Sequence, residues 1–250
     1  MLILLPPSET KRPGGRRRPL DAASLALPSL TPQRDAVVDA LVALSADEAE
    51  AARVLRLGET QLREIAVNAA LREAPTMPAI DRYTGVLFDA LDAASLPTVS
   101  RRWIGAHVRV HSAPFGPVGA LDAIPAYRLG ASASLPGLPS LKRLWADAVT
   151  AALAGEQPRF VLDLRSEAYV ALGPVPEGVA SVYVRVVSEG EGGAVRALNH
   201  FNKHAKGALV RRLAVERPRV SSRAGFLRWA DAAGLRVRDG AAAGEIELFA

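Results

Sequence analysis

Strand-like and helix-like segments follow one another along this chain without a regular period, and that irregularity limits its fold more than any other feature. There is no steady β-α-β spacing, no internal repeat, no heptad pattern and no low-complexity linker long enough to divide domains. The expectation is one α+β domain over residues 1–250, with a mixed β-sheet flanked by helices. A chain of 250 residues is long enough to bury a real core.

The opening run Leu2-Ile3-Leu4-Leu5 reads as a first buried strand. It is too short for a signal-peptide core or a bilayer span, and no other stretch approaches 18 apolar residues. A cytoplasmic protein with no membrane partner is therefore expected. Residues 6–19 form a Pro/Gly-rich basic loop containing Arg16-Arg17-Arg18, which is either a phosphate-contacting arm or a solvated loop. Helices are expected near 33–45, begun by Thr31-Pro32, and over 59–73 and 85–94. Ile104, Ala106, Val108 and Val110 alternate with His107, Arg109 and His111, which predicts a half-buried strand over 104–111. Residues 112–139 read as loops. Further helices are expected over 140–154, 166–172, 197–216 and 222–233, the last stopped by Gly234. Strands are expected over 160–162, 179–187, 235–239 and 245–249, with residues 188–193 as a turn.

The chain has no cysteine, which excludes disulfides, iron–sulfur clusters, thiol nucleophiles and Cys-containing zinc sites. Its net charge of +5 favours anionic partners. Of 31 basic residues only Lys11, Lys142, Lys203 and Lys206 are lysine. Arginine is a fixed planar cation, whereas lysine is a point charge that shifts its pKa readily. In a chain that otherwise uses arginine, each lysine either marks a position where arginine will not serve or falls there by chance.

Six colinear segments resemble the YaaA family (DUF328, UPF0246) of peroxide stress proteins. They are the opening Met1–Lys11, then Ala79–Leu91, Pro125-Ala126-Tyr127-Arg128-Leu129, Leu144-Trp145-Ala146-Asp147, Leu162–Tyr169 and Lys203–Arg212. The resemblance implies a cytosolic protein linked to hydrogen-peroxide stress and to limiting free-iron damage. It also implies a basic cleft with a helix-hairpin-helix-like element that binds double-stranded or distorted DNA. No cofactor is expected: Walker A, G-x-G-x-x-G and G-x-S-x-G are all missing.

Candidate residues fall into two groups. For DNA or anion binding they are Lys11, Arg128, Gly137, Lys142, Arg143, Asn199, Lys203, Lys206 and Arg211. Leu135–Arg143 resembles the hairpin of helix-hairpin-helix proteins, where a glycine turn and a helix N-terminus meet a phosphate. On the helix over 197–216, Leu198, Phe201, Ala205, Ala208 and Leu209 share an apolar face, with Asn199, Lys203 and Lys206 on one flank and His200, His204 and Arg211 on the other. Gly207 in mid-helix implies a close approach by backbone or ligand. The second group, a polar pocket, holds Ser8, Tyr83, Tyr127, Asp163, Ser166, Glu167 and Tyr169. A lysine beside a carboxylate and a serine suits acid–base or covalent chemistry, so an enzyme acting on a nucleotide or small anionic metabolite is the alternative function. His200 and His204 have metal-ligand spacing, but no acid lies within that turn and no metal is expected. His107 and His111 are expected on polar surface or a cleft wall.

Overall fold

In the computed structural model, which describes residues 1–189, 195–196 and 199–249, the run Leu2–Leu5 becomes β1, buried at every residue. A 3-10 turn over Pro28–Leu30 leads directly into α1 (Thr31–Leu44), so Leu30 takes the cap position and Thr31 is already helical. α2 (Glu48–Leu55) was not anticipated. Its cap is Asp47, whose side chain accepts from the Glu50 N–H, and its first turn is acidic, which suits the helix dipole. The segment expected as one helix over 59–73 is a 3-10 turn at Glu59–Gln61 followed by α3 (Arg63–Ala69).

Next come β2 (Met77–Pro78), α4 (Ala79–Arg82), α5 (Val86–Leu91) and α6 (Thr98–His107). α6 corrects the strand expected over 104–111. Ser100 and Ile104 are buried one helical turn apart, and the chain becomes extended only at Val108. There β3 (Val108–Ser112) begins, with Val108 and Val110 buried. His107 thus ends a helix, where its Nδ1 bonds the Met1 carbonyl at 2.8 Å.

The region read as loops holds β4 (Gly116–Gly119) and β5 (Ala123–Ile124). The remaining elements are α7 (Leu141–Gly155), β6 (Val161–Asp163), α8 (Glu167–Val170), β7 (Ser181–Glu189), β8 (Val195–Arg196), α9 (Asn199–Glu216), α10 (Arg223–Ala232), β9 (Val237–Asp239) and β10 (Glu245–Phe249). Apart from β8, which was not anticipated, these follow the sequence expectations closely. α7 is capped by Ser140, whose hydroxyl accepts from the Arg143 N–H, and Gly234 turns the chain after α10 at a φ of 68°.

The main sheet runs β4-β3-β1-β6-β7-β10-β9, with β8 pairing β7 outside this path. Strands β3, β1, β6, β7 and β10 are parallel, and β4 and β9 add antiparallel edges. β1 lies inside the sheet, third in this order, and is covered on both faces, which is why its run is wholly apolar. The chain passes from β1 to β3 on one side, then returns to β6 and β7 on the other. The loops leaving β1 and β6 therefore diverge at adjacent carboxyl ends. In open parallel sheets such a switch point is where a crevice for ligands forms.

Arginines hold the loops around this frame. Arg34 and Arg82 are fully buried with no carboxylate partner among the described residues, and both donate to backbone carbonyls. Arg82 reaches the Arg12 carbonyl at 2.5 Å, and the Arg12 N–H returns a bond to the Arg82 carbonyl. The Arg17 N–H donates to Thr76, so residues 6–19 are pinned along residues 75–84 and do not form a free arm.

Candidate functional site

The loop after β1 brings Lys11 against the start of the α4–α5 segment, where it forms an isolated antiparallel bridge with Tyr83. Its Nζ donates to the carbonyls of Ser8 at 3.0 Å and Glu9 at 3.2 Å, and it lies 3.9 Å from the centre of the Tyr127 ring. Two carbonyls and an aromatic face are what an ammonium needs. Burial opposes them: together with the nearby Arg128 it pushes the Lys11 pKa down to about 7. Beneath the lysine, the Tyr83 and Tyr127 hydroxyls meet at 2.8 Å, and the Ser112 hydroxyl donates to Tyr127 at 3.1 Å. Burial raises both phenols above their ordinary range. Asn68 accepts from the Arg128 N–H at 2.7 Å, and the Arg128 guanidinium faces Glu9 at 3.4 Å.

The second part of the site is built on β6. Asp163 and Arg165 are two residues apart in extended chain, so both side chains fall on one face. Arg165, fully buried, clasps the Asp163 carboxylate through Nε at 2.9 Å and Nη2 at 2.6 Å. Its Nη1 donates to the Gly173 carbonyl at 2.8 Å and to His111 Nδ1 at 2.9 Å. Burial, reinforced by Arg165, holds the His111 pKa well below its ordinary value, so the ring is neutral. With Nδ1 accepting from Arg165, the ring proton sits on Nε2, which is buried and has no hydrogen-bond partner among the described residues. The Tyr169 ring lies 5.7 Å from His111, and Tyr127 and Glu9 are near enough to add to the burial that raises its phenol. Tyr169 therefore links the two parts.

Lys206 enters from α9. Its Nζ reaches the Arg165 carbonyl at 3.5 Å and lies 5.5 Å from the Tyr183 ring. Burial brings its pKa down to about 8, against the pull of Asp163 and with help from Arg185. Gly207 fixes this placement, because a Cβ there would stand 2.0 Å from the Leu87 carbonyl oxygen of α5. The close backbone approach expected at Gly207 is thus to α5.

The expected residues do not all converge. Lys206, Gly207, Leu209, Val210, Leu213 and Ala214 face inward on α9, whereas Phe201 is 57% exposed, so the apolar face is turned from the one expected. Lys203 and His204 are exposed, and Lys203 does not share the environment of Lys206. Arg211 donates to the carbonyls of Leu91 and Asp92, each at 2.9 Å, and so closes the C-terminus of α5. Ser166 and Glu167 are exposed at the start of α8, with Glu167 3.4 Å from Arg185. Ser8 bonds Thr10 at the rim of the Lys11 loop. Lys142 and Arg143 are exposed at the start of α7. Gly137 makes its turn at a φ of 77°, but residues 125–139 contain no helix, so the hairpin expected there has only its second helix. The side chains of Asn199 and His200, Leu198, and the turn expected over 188–193 beyond the backbone of Ser188 and Glu189, lie outside the described residues.

Three contributors were missed: Arg165, His111 and Tyr183. The Asp163–Arg165 pair was visible in principle, since opposite charges two apart in a strand share a face. His111 was expected on polar surface or a cleft wall; it is fully buried, against Arg165.

The sequence profile described as "Peroxide stress protein YaaA" matches residues 1–239. A UPF0246 protein of Corynebacterium efficiens is 46% identical over 230 residues, covering 90% of this chain and 89% of its own. One from Corynebacterium glutamicum is 43% identical, covering 96% and 95%, and one from Streptomyces coelicolor is 42% identical, covering 85% and 82%.

Proposed function

Because this chain belongs to the YaaA (UPF0246) family of peroxide stress proteins, we propose that it serves that response by binding a small anionic molecule in the crevice between the carboxyl ends of β1 and β6. The guest is a nucleotide or another phosphate- or carboxylate-bearing metabolite. One observation carries this reading: half-buried Lys11 and buried Lys206, from distant parts of the chain, both border a polar cluster of Tyr127, Tyr169, His111, Arg165 and Asp163. Amines kept from water near neutrality are poised to regain charge when an anion arrives. Nucleotide or metabolite turnover belongs to this reading, with the lysines as its acid–base or covalent groups. Calorimetric titration with inorganic phosphate and with AMP tests it. Saturable binding lost in Lys206→Met and kept in Lys142→Ala supports the crevice; no heat with either probe, or equal loss in both variants, overturns it.

DNA binding, which the family resemblance implies, draws on different side chains. Lys142, Arg143 and Lys203 are exposed and the chain carries a net charge of +5. Such residues would contact phosphates and set register without reading sequence. Fluorescence anisotropy with a short duplex tests this second reading. Steeply salt-dependent binding, flattened by the triple alanine variant of these three residues, supports it. Binding that is absent, or that depends on Lys206 instead, removes it. The link to free iron stays at the level of cellular purpose. Among the described residues no group of three His, Asp or Glu side chains is placed to hold a metal, and His204 is exposed.

A further inference from the structure

Lys206 differs from the other three lysines in what its nitrogen touches. Lys142 and Lys203 are exposed. Lys11 is half-buried, and its amine is enclosed by the Ser8 and Glu9 carbonyls and the Tyr127 face. Lys206 is 5% exposed, and its one hydrogen bond among the described residues is a long one, 3.5 Å to the Arg165 carbonyl. It cannot withdraw, because Gly207 seats the helix on α5. The Tyr183 ring is flanked by Lys206 at 5.5 Å and Arg185 at 5.8 Å. Arg185 holds Glu245 at 3.0 Å and the exposed Glu167 at only 3.4 Å, so the Glu167 contact is replaceable by the carboxylate of a guest.

From this arrangement we propose that Lys206 is a covalent site whose ε-amine condenses with the carbonyl carbon of a small anionic aldehyde or keto acid, with Arg185 receiving the guest's anionic group. The proposal rests on the crevice reading and narrows its guest to an anionic carbonyl compound. The amine nitrogen adds to the carbonyl carbon, and the C=O π pair moves to oxygen. That oxygen takes up the protons the nitrogen sheds and leaves as water, while a C=N bond joins lysine to guest. The step needs no oxidant or reductant. Arginine cannot perform it, which accounts for a lysine here in a chain where arginine is the usual cation. A pKa near 8 leaves a usable fraction of free amine at neutral pH.

The experiment incubates the intact protein with glyoxylate and cyanoborohydride at pH 7, then maps modified peptides by mass spectrometry. With four lysines in the chain, each is read separately. Lys206 is expected to be labelled at least about tenfold faster than Lys142 or Lys203, and inorganic phosphate should slow it. Lys206→Arg should lose that adduct while the others keep their rates. Labelling in order of exposure, with Lys142 and Lys203 first, overturns the proposal, and the wild-type map alone decides this should the variant misfold. Phosphate calorimetry on the same preparation separates the two ideas. Phosphate binding without a Lys206 adduct sinks the carbonyl proposal alone, whereas neither phosphate binding nor adduct sinks both.

Discussion

Lys11 and Lys206 both carry amines with pKa values lowered by burial, yet they are held in opposite ways. Around Lys11 the backbone has folded to receive a cation: two carbonyls within 3.2 Å and a ring face at 3.9 Å. Around Lys206 the neighbours are themselves already satisfied. Arg165 and Asp163 are committed to each other, and the lysine is left with a marginal contact. Burial alone therefore does not define a functional lysine. The difference lies in how much of the nitrogen's bonding capacity the fold has already used, and that is why the carbonyl proposal falls on Lys206 and not on Lys11.

Perturbations at the two ends should separate them. The largest effect is expected from Arg165→Met, which leaves the Asp163 carboxylate buried without its partner. Urea unfolding should show a loss of roughly 3–5 kcal/mol. A loss under about 1 kcal/mol would mean that Arg165 does not organise the Lys206 end. Gly207→Ala comes next, at about 1–3 kcal/mol, because the new Cβ must displace the α5 backbone. It should also slow glyoxylate labelling at Lys206 while leaving the environment of Lys11 unchanged.

The pH dependence of stability sharpens the contrast further. Each lysine has a folded pKa below its unfolded value of 10.5, so the unfolded chain holds the extra protons. Stability must then rise with pH, from about 7 for Lys11 and about 8 for Lys206, by about 1.4 kcal/mol per pH unit for each lysine fully titrated. Below those values the penalty is complete and constant. Above about pH 10 the raised phenols of Tyr83 and Tyr127 reverse the trend, since the unfolded chain then loses protons that the folded one keeps. Urea midpoints measured between pH 7 and pH 10 should lose part of their slope in Lys11→Met and in Lys206→Met. The Lys11 variant alone should flatten the stretch between pH 7 and 8. The smallest effect, about 1 kcal/mol, is expected from Tyr127→Phe, which breaks the hydroxyl contact with Tyr83 but keeps the ring under Lys11.

Much of the framework was legible in the sequence. β1 could be read because a strand buried on both faces must be apolar throughout, and α10 because Gly234 marks its stop. The strand misread over 104–111 shows why period alone misleads: two helical residues, Ile104 and Ala106, happened to extend the genuine alternation of β3. α2 escaped because its alanines carry little apolar pattern and only Asp47 announces it. At the site, the scarcity of lysine pointed to Lys11 and Lys206, but scarcity flagged Lys142 and Lys203 equally, and only burial tells them apart. Arg211 looked like a phosphate ligand and proved to close a helix, because a sequence does not reveal which carbonyls lie within an arginine's reach.

The position of β1 has a consequence for how the protein is made. Its four residues are made before both of the strands that flank it, which begin at Val108 and Val161. At about 5–20 residues per second β1 waits on the order of ten seconds before its second neighbour exists. During that interval Leu2–Leu5 lacks one or both sheet neighbours, so shielding of this apolar segment should help govern how much of the protein reaches its folded form.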